Sequence, residues 1–158
     1  MPGGIDAANV FAANGSNEVL QTLCLAYAGA ERSVLTFEPT YALHSHIAKV
    51  SGARVLDCPR RDDFTLDVDR AVEMVRSEAP IITLLCSPNN PTGRVESEDA
   101  VRALLDAVES VDGLLVVDEA YGQFSPWSAL SLVDDDRSVA VTRTYSKTWS
   151  AAALRLGY

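Results

Sequence analysis

The sequence predicts an α/β fold, a three-layer sandwich in which helices cover both faces of a mainly parallel sheet. Short apolar runs alternate along the chain with amphipathic stretches of helical period, the order expected for right-handed strand–helix–strand crossovers. The runs at residues 81–85 and 114–117 are apolar throughout, as is typical of strands buried on both faces. Polar residues follow several of these runs, at the strand ends where open α/β sheets bind ligands.

Composition limits the classes of protein to which the chain can belong. Its 158 residues, 47% apolar and 22% charged, are enough for one globular domain with a core, and no linker or repeat divides them. The net charge of −9, without a basic cluster, argues against nucleic acid or an anionic membrane as a partner. We see neither an apolar run of about 20 residues nor a signal peptide, and therefore expect a cytoplasmic protein without a membrane span.

The cysteines and histidines do not predict a metal site. Cys24, Cys58 and Cys86 lack metal-ligand spacing, and their apolar surroundings favour core packing in a reducing cytoplasm. His44 and His46 fall two residues apart in a predicted helix, which places them on different faces.

The first part of the chain predicts a strand, a turn and a helix in immediate succession. We expect a short strand at 10–13, a glycine-containing turn at 14–18 and a helix at 19–28. Such a turn presents backbone N–H groups with the helix dipole behind them, which favours binding of a phosphate. Ser16 or Asn17 could instead be a plain N-cap.

The next segments continue the alternation. A strand is predicted at 33–37 and a helix at 42–50, with Tyr41 between them. Tyr41 is either a platform on which a flat ring stacks or an amphipathic surface residue. A strand at 53–56, a polar loop at 57–65 and a helix at 68–77 follow.

The central strands end in two polar motifs. The strand at 81–85 runs into Ser87-Pro-Asn-Asn-Pro-Thr-Gly93, whose prolines and glycine restrict the backbone, so that asparagine amides can be aimed with little loss of entropy. After a helix at 96–108, the strand at 114–117 ends in Asp118-Glu-Ala-Tyr121.

The last motif centres on a lysine. An irregular acidic stretch and a strand at 138–142 precede Thr144-Tyr-Ser-Lys-Thr148, with Arg155 beyond it. The amine of Lys147 can form a Schiff base with a carbonyl. The hydroxyls of Thr144 and Ser146 and the guanidinium of Arg155 suit a phosphorylated aldehyde. Taken alone, Lys147 is better explained as a surface lysine in a polar loop, and it is the other motifs of the chain that favour the Schiff-base role.

Together these motifs, in this order and at this spacing, resemble the aminotransferases among the fold-type I pyridoxal 5'-phosphate (PLP) enzymes. The resemblance covers essentially the whole chain. The segments at 14–18 and 39–41 and the last eleven residues are most similar to histidinol-phosphate aminotransferases. The fold it implies is part of the PLP-dependent transferase-like large domain.

The resemblance implies roles for the polar residues at the strand ends. Lys147 would hold PLP as a Schiff base and then move a proton, and Asp118 would face the pyridine nitrogen and keep it protonated. Asn90 and Tyr121 would hydrogen-bond the ring's 3′ oxygen, with Asn89 as a rival for the role of Asn90.

The remaining implied contacts are to the ring face and to the phosphate. Tyr41 would stack on the ring, and Glu18 and Glu119 would serve the structure. The phosphate would be held by Ser16, Asn17, Thr144, Ser146 and Arg155.

The chain departs from the family pattern in extent. We expect residues 1–158 to be a partial large domain, without the family's N-terminal arm and C-terminal small domain. The arginine that binds the substrate carboxylate belongs to that C-terminal part. The 158 residues alone are therefore expected to be inactive, and the full-length protein to be a homodimer.

The implied reaction is transamination between L-histidinol phosphate and 2-oxoglutarate, giving imidazole-acetol phosphate and L-glutamate in histidine biosynthesis. An aromatic aminotransferase, a PLP decarboxylase or a C–S lyase would keep the same motifs, and a non-catalytic PLP-binding remnant is a further alternative. A nucleotide-binding module is disfavoured because neither a G-x-G-x-x-G motif nor a P-loop is present.

Overall fold

A five-stranded sheet, parallel throughout, forms the centre of the computed structural model, which describes residues 5–158. The strands are β1 (Ala13–Asn14), β2 (Ser33–Thr36), β3 (Arg54–Asp57), β4 (Ile82–Cys86), β5 (Leu114–Asp118), β6 (Val139–Thr142) and β7 (Leu156–Gly157). The helices are α1 (Ser16–Tyr27), α2 (Leu43–Val50), α3 (Val68–Glu78) and α4 (Glu98–Glu109). The main sheet has the order β3-β2-β4-β5-β6.

Helices cover the two faces of this sheet, which confirms the three-layer α/β prediction. On one face, α1 and α2 pack against side chains such as Val34, Ile82 and Val116. On the other face, α3 and α4 pack against the alternate positions, including Leu35 and Leu115. The two-residue period of a strand sends neighbouring side chains to opposite faces, and both sets are apolar because both faces are covered.

Two helices begin at the residue that follows their N-cap and not at the first residue of the predicted apolar pattern. The helix predicted at 96–108 starts at Glu98, because the side chain of Ser97 accepts a hydrogen bond from Ala100 N. The helix predicted at 19–28 starts three residues earlier, at Ser16. Gly15 is its N-cap, with a φ of 86° that favours glycine. Neither Ser16 nor Asn17 is therefore the N-cap.

The strand predicted at 10–13 is displaced and lies outside the main sheet. β1 comprises Ala13–Asn14 and pairs antiparallel with β7, joining the start of α1 to the end of the described chain. After β6, the last strand of the main sheet, the end of the chain therefore runs back to pair with the segment that precedes α1.

Of the helices in residues 5–158, none combines the length and the apolar character needed to cross a bilayer.

Candidate active site

A cleft opens at the carboxyl edge of the sheet, beyond β4, β5 and β6. All ten residues predicted for the site line this cleft, together with Cys86 and Ala120. Parallel strands end at the same edge, which is why motifs that are far apart in the sequence meet there.

Asp118, the last residue of β5, is buried, and both of its carboxylate oxygens have hydrogen-bond partners. Its Oδ1 accepts hydrogen bonds from Ala120 N at 3.1 Å and from the hydroxyl of Thr142 at 3.3 Å. Its Oδ2 lies 3.0 Å from Nε2 of His44. Because a carboxylate only accepts hydrogen bonds, Nε2 of His44 carries the proton. Three donors therefore hold the carboxylate in one orientation.

His44 supports the site through its contact with Asp118, which the sequence does not predict. As predicted, His46 lies on a different face of the helix, where it is exposed, and His44 is buried. Its ring lies edge-on to Tyr41, with the ring centroids 5.6 Å apart. In the sequence, this contact is indicated only by the position of His44, one helical turn after Tyr41 and on the apolar face of α2.

The two asparagines of the 87–93 loop are distinguished by their hydrogen bonds. Asn89 is buried, with its amide oxygen accepting from the Thr40 hydroxyl and its Nδ2 donating to Pro39 O and to the Thr92 hydroxyl. Asn90 lines the cleft beside Tyr121. Asn89 therefore ties the loop to the neighbouring segment, and Asn90 is the one available to a ligand.

The start of α1 and the segment after β6 form a cationic end of the cleft. Arg155 Nη1 donates to the Ser146 hydroxyl at 3.2 Å, and the Thr144 hydroxyl accepts from Ser146 N at 3.1 Å. The guanidinium of Arg155 lies against Gly15, where an added Cβ would be 2.5 Å from Nη2. Asn17 accepts a hydrogen bond from the Tyr41 hydroxyl at 3.3 Å.

Lys147 lies in the loop that follows β6, and its side chain is exposed. Its Nζ is 5.6 Å from the centroid of the Tyr121 ring, which places the amine over an aromatic face at the mouth of the cleft. The exposed amine is accessible to a small molecule that enters the cleft.

Several polar groups near the cleft stabilise the structure, as expected for Glu18 and Glu119. Glu119 is buried and accepts two hydrogen bonds from Arg143, at 2.6 and 3.0 Å. Glu18 accepts one from Asn14 N at 2.6 Å.

The cysteines are free and buried, as the sequence predicted. Burial, with the nearby charge of Asp118, raises the pKa of Cys86 to about 12. The Cys86 thiol therefore lines the cleft as a neutral group rather than as a nucleophile.

Comparison with known proteins matches this chain to one family. The family model for aminotransferase class I and II matches residues 4–158. A histidinol-phosphate aminotransferase of Thermobifida fusca is 45% identical over 98% of this chain. One from Mycobacterium leprae is 46% identical over 95% of it.

Solved structures have the same fold. The histidinol-phosphate aminotransferase of Sinorhizobium meliloti, crystallised in complex with pyridoxal-5'-phosphate, superposes with a TM-score of 0.86 at 27% identity. The match covers 95% of this chain and 41% of that one. A PLP-bound C–S lyase from Staphylococcus hominis shares the fold, with a TM-score of 0.87 at 21% identity. That match covers 98% of this chain and 41% of the lyase chain.

The chain spans 42% of the length of the Thermobifida relative and 40% of the Mycobacterium one. The predicted fold and the family resemblance are both confirmed. On the match over residues 4–158, the chain belongs to the aminotransferase class I and II family.

Proposed function

We propose that these residues form the PLP-binding part of a histidinol-phosphate aminotransferase. The observation that carries the proposal is the single cleft that joins the Lys147 amine and the buried Asp118 carboxylate to a cationic, amide-rich end. The names of the relatives support the same activity.

The donor set of the cleft fits a phosphorylated pyridine aldehyde. Within residues 5–158, the backbone N–H groups of Ser16 and Asn17 have no hydrogen-bond acceptor, as expected at the start of a helix. The helix dipole and the Arg155 guanidinium add positive charge at the same place, which suits a phosphate dianion. This local charge favours an anion even though the chain as a whole is acidic, with a net charge of −9.

Each remaining part of the cofactor has a matching residue. Lys147 would hold it covalently through Nζ, Asp118 would face the ring nitrogen, and Tyr41 would lie against the ring. Asn90 and Tyr121 would hydrogen-bond the ring hydroxyl. The phosphate would be bound by Ser16, Asn17, Thr144, Ser146 and Arg155.

When bound, PLP supplies an electron sink that stabilises negative charge on the substrate carbon. The contribution of Asp118 is a fixed negative charge, since its carboxylate is already oriented by three donors and needs no rearrangement during the reaction. Lys147 would contribute an Nζ that takes up a proton from the substrate carbon and returns it. The Tyr121 ring, 5.6 Å from Nζ, lies beneath that amine.

We further propose L-histidinol phosphate as the amino donor and 2-oxoglutarate as the acceptor, in a cytoplasmic homodimer. Domain organisation is part of the same proposal: residues 1–158 supply the cofactor side of a large domain, and the carboxylate of 2-oxoglutarate is bound by residues outside them.

The cofactor site is tested by borohydride reduction in the presence of PLP, followed by peptide mapping. The chain has two lysines, Lys49 and Lys147, so the assignment is unambiguous. We expect the pyridoxyl mass on Lys147 and its absence from a Lys147→Ala variant. Label on Lys49 alone would rule out the proposed site.

The substrate is tested in a chimera in which these 158 residues replace the matching segment of the Thermobifida relative. We expect turnover with L-histidinol phosphate and 2-oxoglutarate at least tenfold faster than with L-phenylalanine as donor, and none in the Lys147→Ala chimera. A chimera that takes up PLP and prefers phenylalanine, or that eliminates sulfide from cysteine, would assign the alternative chemistry.

A further inference from the structure

We infer that Gly157 is a positioning residue for the anion-binding end of the cleft, because its missing side chain is what lets the first amides of α1 sit beside Arg155. The inference rests on the proposed function, in which that end receives the cofactor phosphate. Gly157 itself does not line the cleft and acts through Ser16.

Gly157 lies in the short ladder between β1 and β7, where it pairs with Ala13. It is buried, and a Cβ added to it would be 2.8 Å from Ser16 Cα and closer still to Ser16 N and to Gly15 C. All three are backbone atoms, so no side chain can rotate away to make room. Within residues 5–158, Gly157 is not among the glycines with positive φ, so its backbone would accept alanine and only the space forbids it.

The affected atom is one that the proposed site uses. Ser16 is the first residue of α1, and its N–H is among the groups left without an acceptor inside the helix. The ladder also fixes the neighbour on the other side, since Asn14 pairs with Leu156, directly after Arg155. The helix start and the arginine, which come from opposite ends of the sequence, are therefore set relative to each other by this contact.

An alanine at 157 must displace Ser16 N by about 1 Å to reach normal contact distance, and a displacement of that size takes a donor out of hydrogen-bonding range. Losing one charge-assisted hydrogen bond should weaken phosphate binding about 10- to 100-fold. We expect this effect to be confined to the phosphate end of the cleft.

The test uses the chimera with the Thermobifida relative, labelled with ²H and ¹⁵N and titrated with inorganic phosphate, following the amide resonances of Ser16 and Asn17. We expect saturable shifts with the original residues 1–158, and Gly157→Ala to need about 10- to 100-fold more phosphate. The matched control is Gly29→Ala, since Gly29 has a φ of 133° and an added Cβ would meet its nearest atom, Ser51 O, only at 4.0 Å. This variant strains the backbone away from the cleft and should bind phosphate normally.

A second measurement compares PLP with pyridoxal, which lacks the phosphate, as labels for Lys147. The original chain and Gly29→Ala should prefer PLP, and Gly157→Ala should lose most of that preference. If Gly157→Ala does not fold, the shifts at Ser16 and Asn17 in the unsubstituted chimera still test the inference.

Equal phosphate affinity in Gly157→Ala and the original chain would overturn the inference, as would the absence of shifts at Ser16 and Asn17 in the original chain. Failure of the proposed function looks different. In that case neither PLP nor pyridoxal labels Lys147, while the phosphate titration still decides the role of Gly157.

Discussion

Nε2 of His44 lies 3.0 Å from Oδ2 of Asp118, with the imidazole fully buried and the carboxylate 3% exposed. Within residues 5–158 the other ring nitrogen, Nδ1, has no hydrogen-bond partner. The contact to Asp118 is therefore the one described polar interaction of this side chain, and it supplies the donor to Oδ2 of the aspartate.

Replacing His44 by Phe should destabilise the chain. The aromatic ring fills similar space but leaves Oδ2 of a buried carboxylate without its donor, which costs about 1.5–3 kcal/mol of unfolding free energy. Urea unfolding measures the change. His46→Phe is the matched control, since His46 is exposed on the same helix and should change stability by less than about 0.5 kcal/mol. Equal effects of the two substitutions would contradict the assigned contact.

Replacing Asp118 by Asn should impair chemistry more than cofactor binding. The amide keeps the shape of the side chain but cannot supply the negative charge that the proposed role requires. Single-turnover kinetics of the PLP-loaded chimera with L-histidinol phosphate should show a rate lower by at least tenfold, with a PLP affinity that changes less. An unchanged rate would show that Asp118 does not face the ring nitrogen.

The two loop asparagines should separate stability from cofactor binding. Asn89→Ala removes three hydrogen bonds from a buried side chain and should lower the unfolding free energy by about 1–3 kcal/mol. Asn90→Ala should leave stability within about 0.5 kcal/mol and weaken PLP binding by up to about tenfold. Urea unfolding without cofactor and PLP titration measure the two effects, and an exchange of the two outcomes would reverse the roles.

Stability should fall at alkaline pH because of the buried thiols. Burial raises the pKa of Cys24 from its usual 9.0 to about 11 and, with the charge of Asp118, that of Cys86 to about 12. Above about pH 9 the unfolded chain has lost these protons while the folded chain still holds them, so unfolding is favoured as pH rises.

Between about pH 8 and about pH 10.5, we expect each of these thiols to lower the free energy of unfolding by about 2 kcal/mol. Urea midpoints at the two pH values measure the loss. A Cys24→Ala, Cys86→Ala double variant corrects for other titrating groups, and its stability should fall less with pH. A double variant with the same pH dependence as the original chain would refute the pKa assignment.

The 158 residues studied alone should self-associate and show no transamination. An apolar groove between α1 and β6 is lined by side chains such as Phe11, Leu23 and Val141, and the large apolar side chains of Trp149 and Leu154 are exposed. Exposed apolar surface next to a sheet edge promotes association. Sedimentation velocity and an assay with L-histidinol phosphate and 2-oxoglutarate test both parts, and a monomer with steady turnover would contradict them.

Much of this protein follows from its sequence alone. The apolar runs at 81–85 and 114–117 have the composition of strands buried on both faces, so they predict a parallel sheet whose carboxyl ends share one edge. Once that edge is predicted, the polar residues that follow the strands must lie close together. The ten site residues line one cleft for that reason.

Other features were decided by the tertiary structure. Helical spacing separates His44 from His46, but only the packing of α2 on the sheet brings His44 to Asp118. The sequence does not distinguish the surroundings of Asn89 and Asn90. In the structure one amide is buried against Thr40 and Pro39, and the other lines the cleft. The displaced strand β1 finds its partner at the other end of the chain, in β7.

The physical reason is the range of the interactions involved. Periodicity, capping and turn preferences act between residues a few positions apart, so a sequence displays them directly. The contacts between buried donors and acceptors, and between Gly157 and the start of α1, join segments that are distant in the chain. Burial of apolar surface brings those segments together. The free energy gained by that burial is roughly proportional to the apolar area and has no direction. The local sequence therefore does not show which polar groups will be paired.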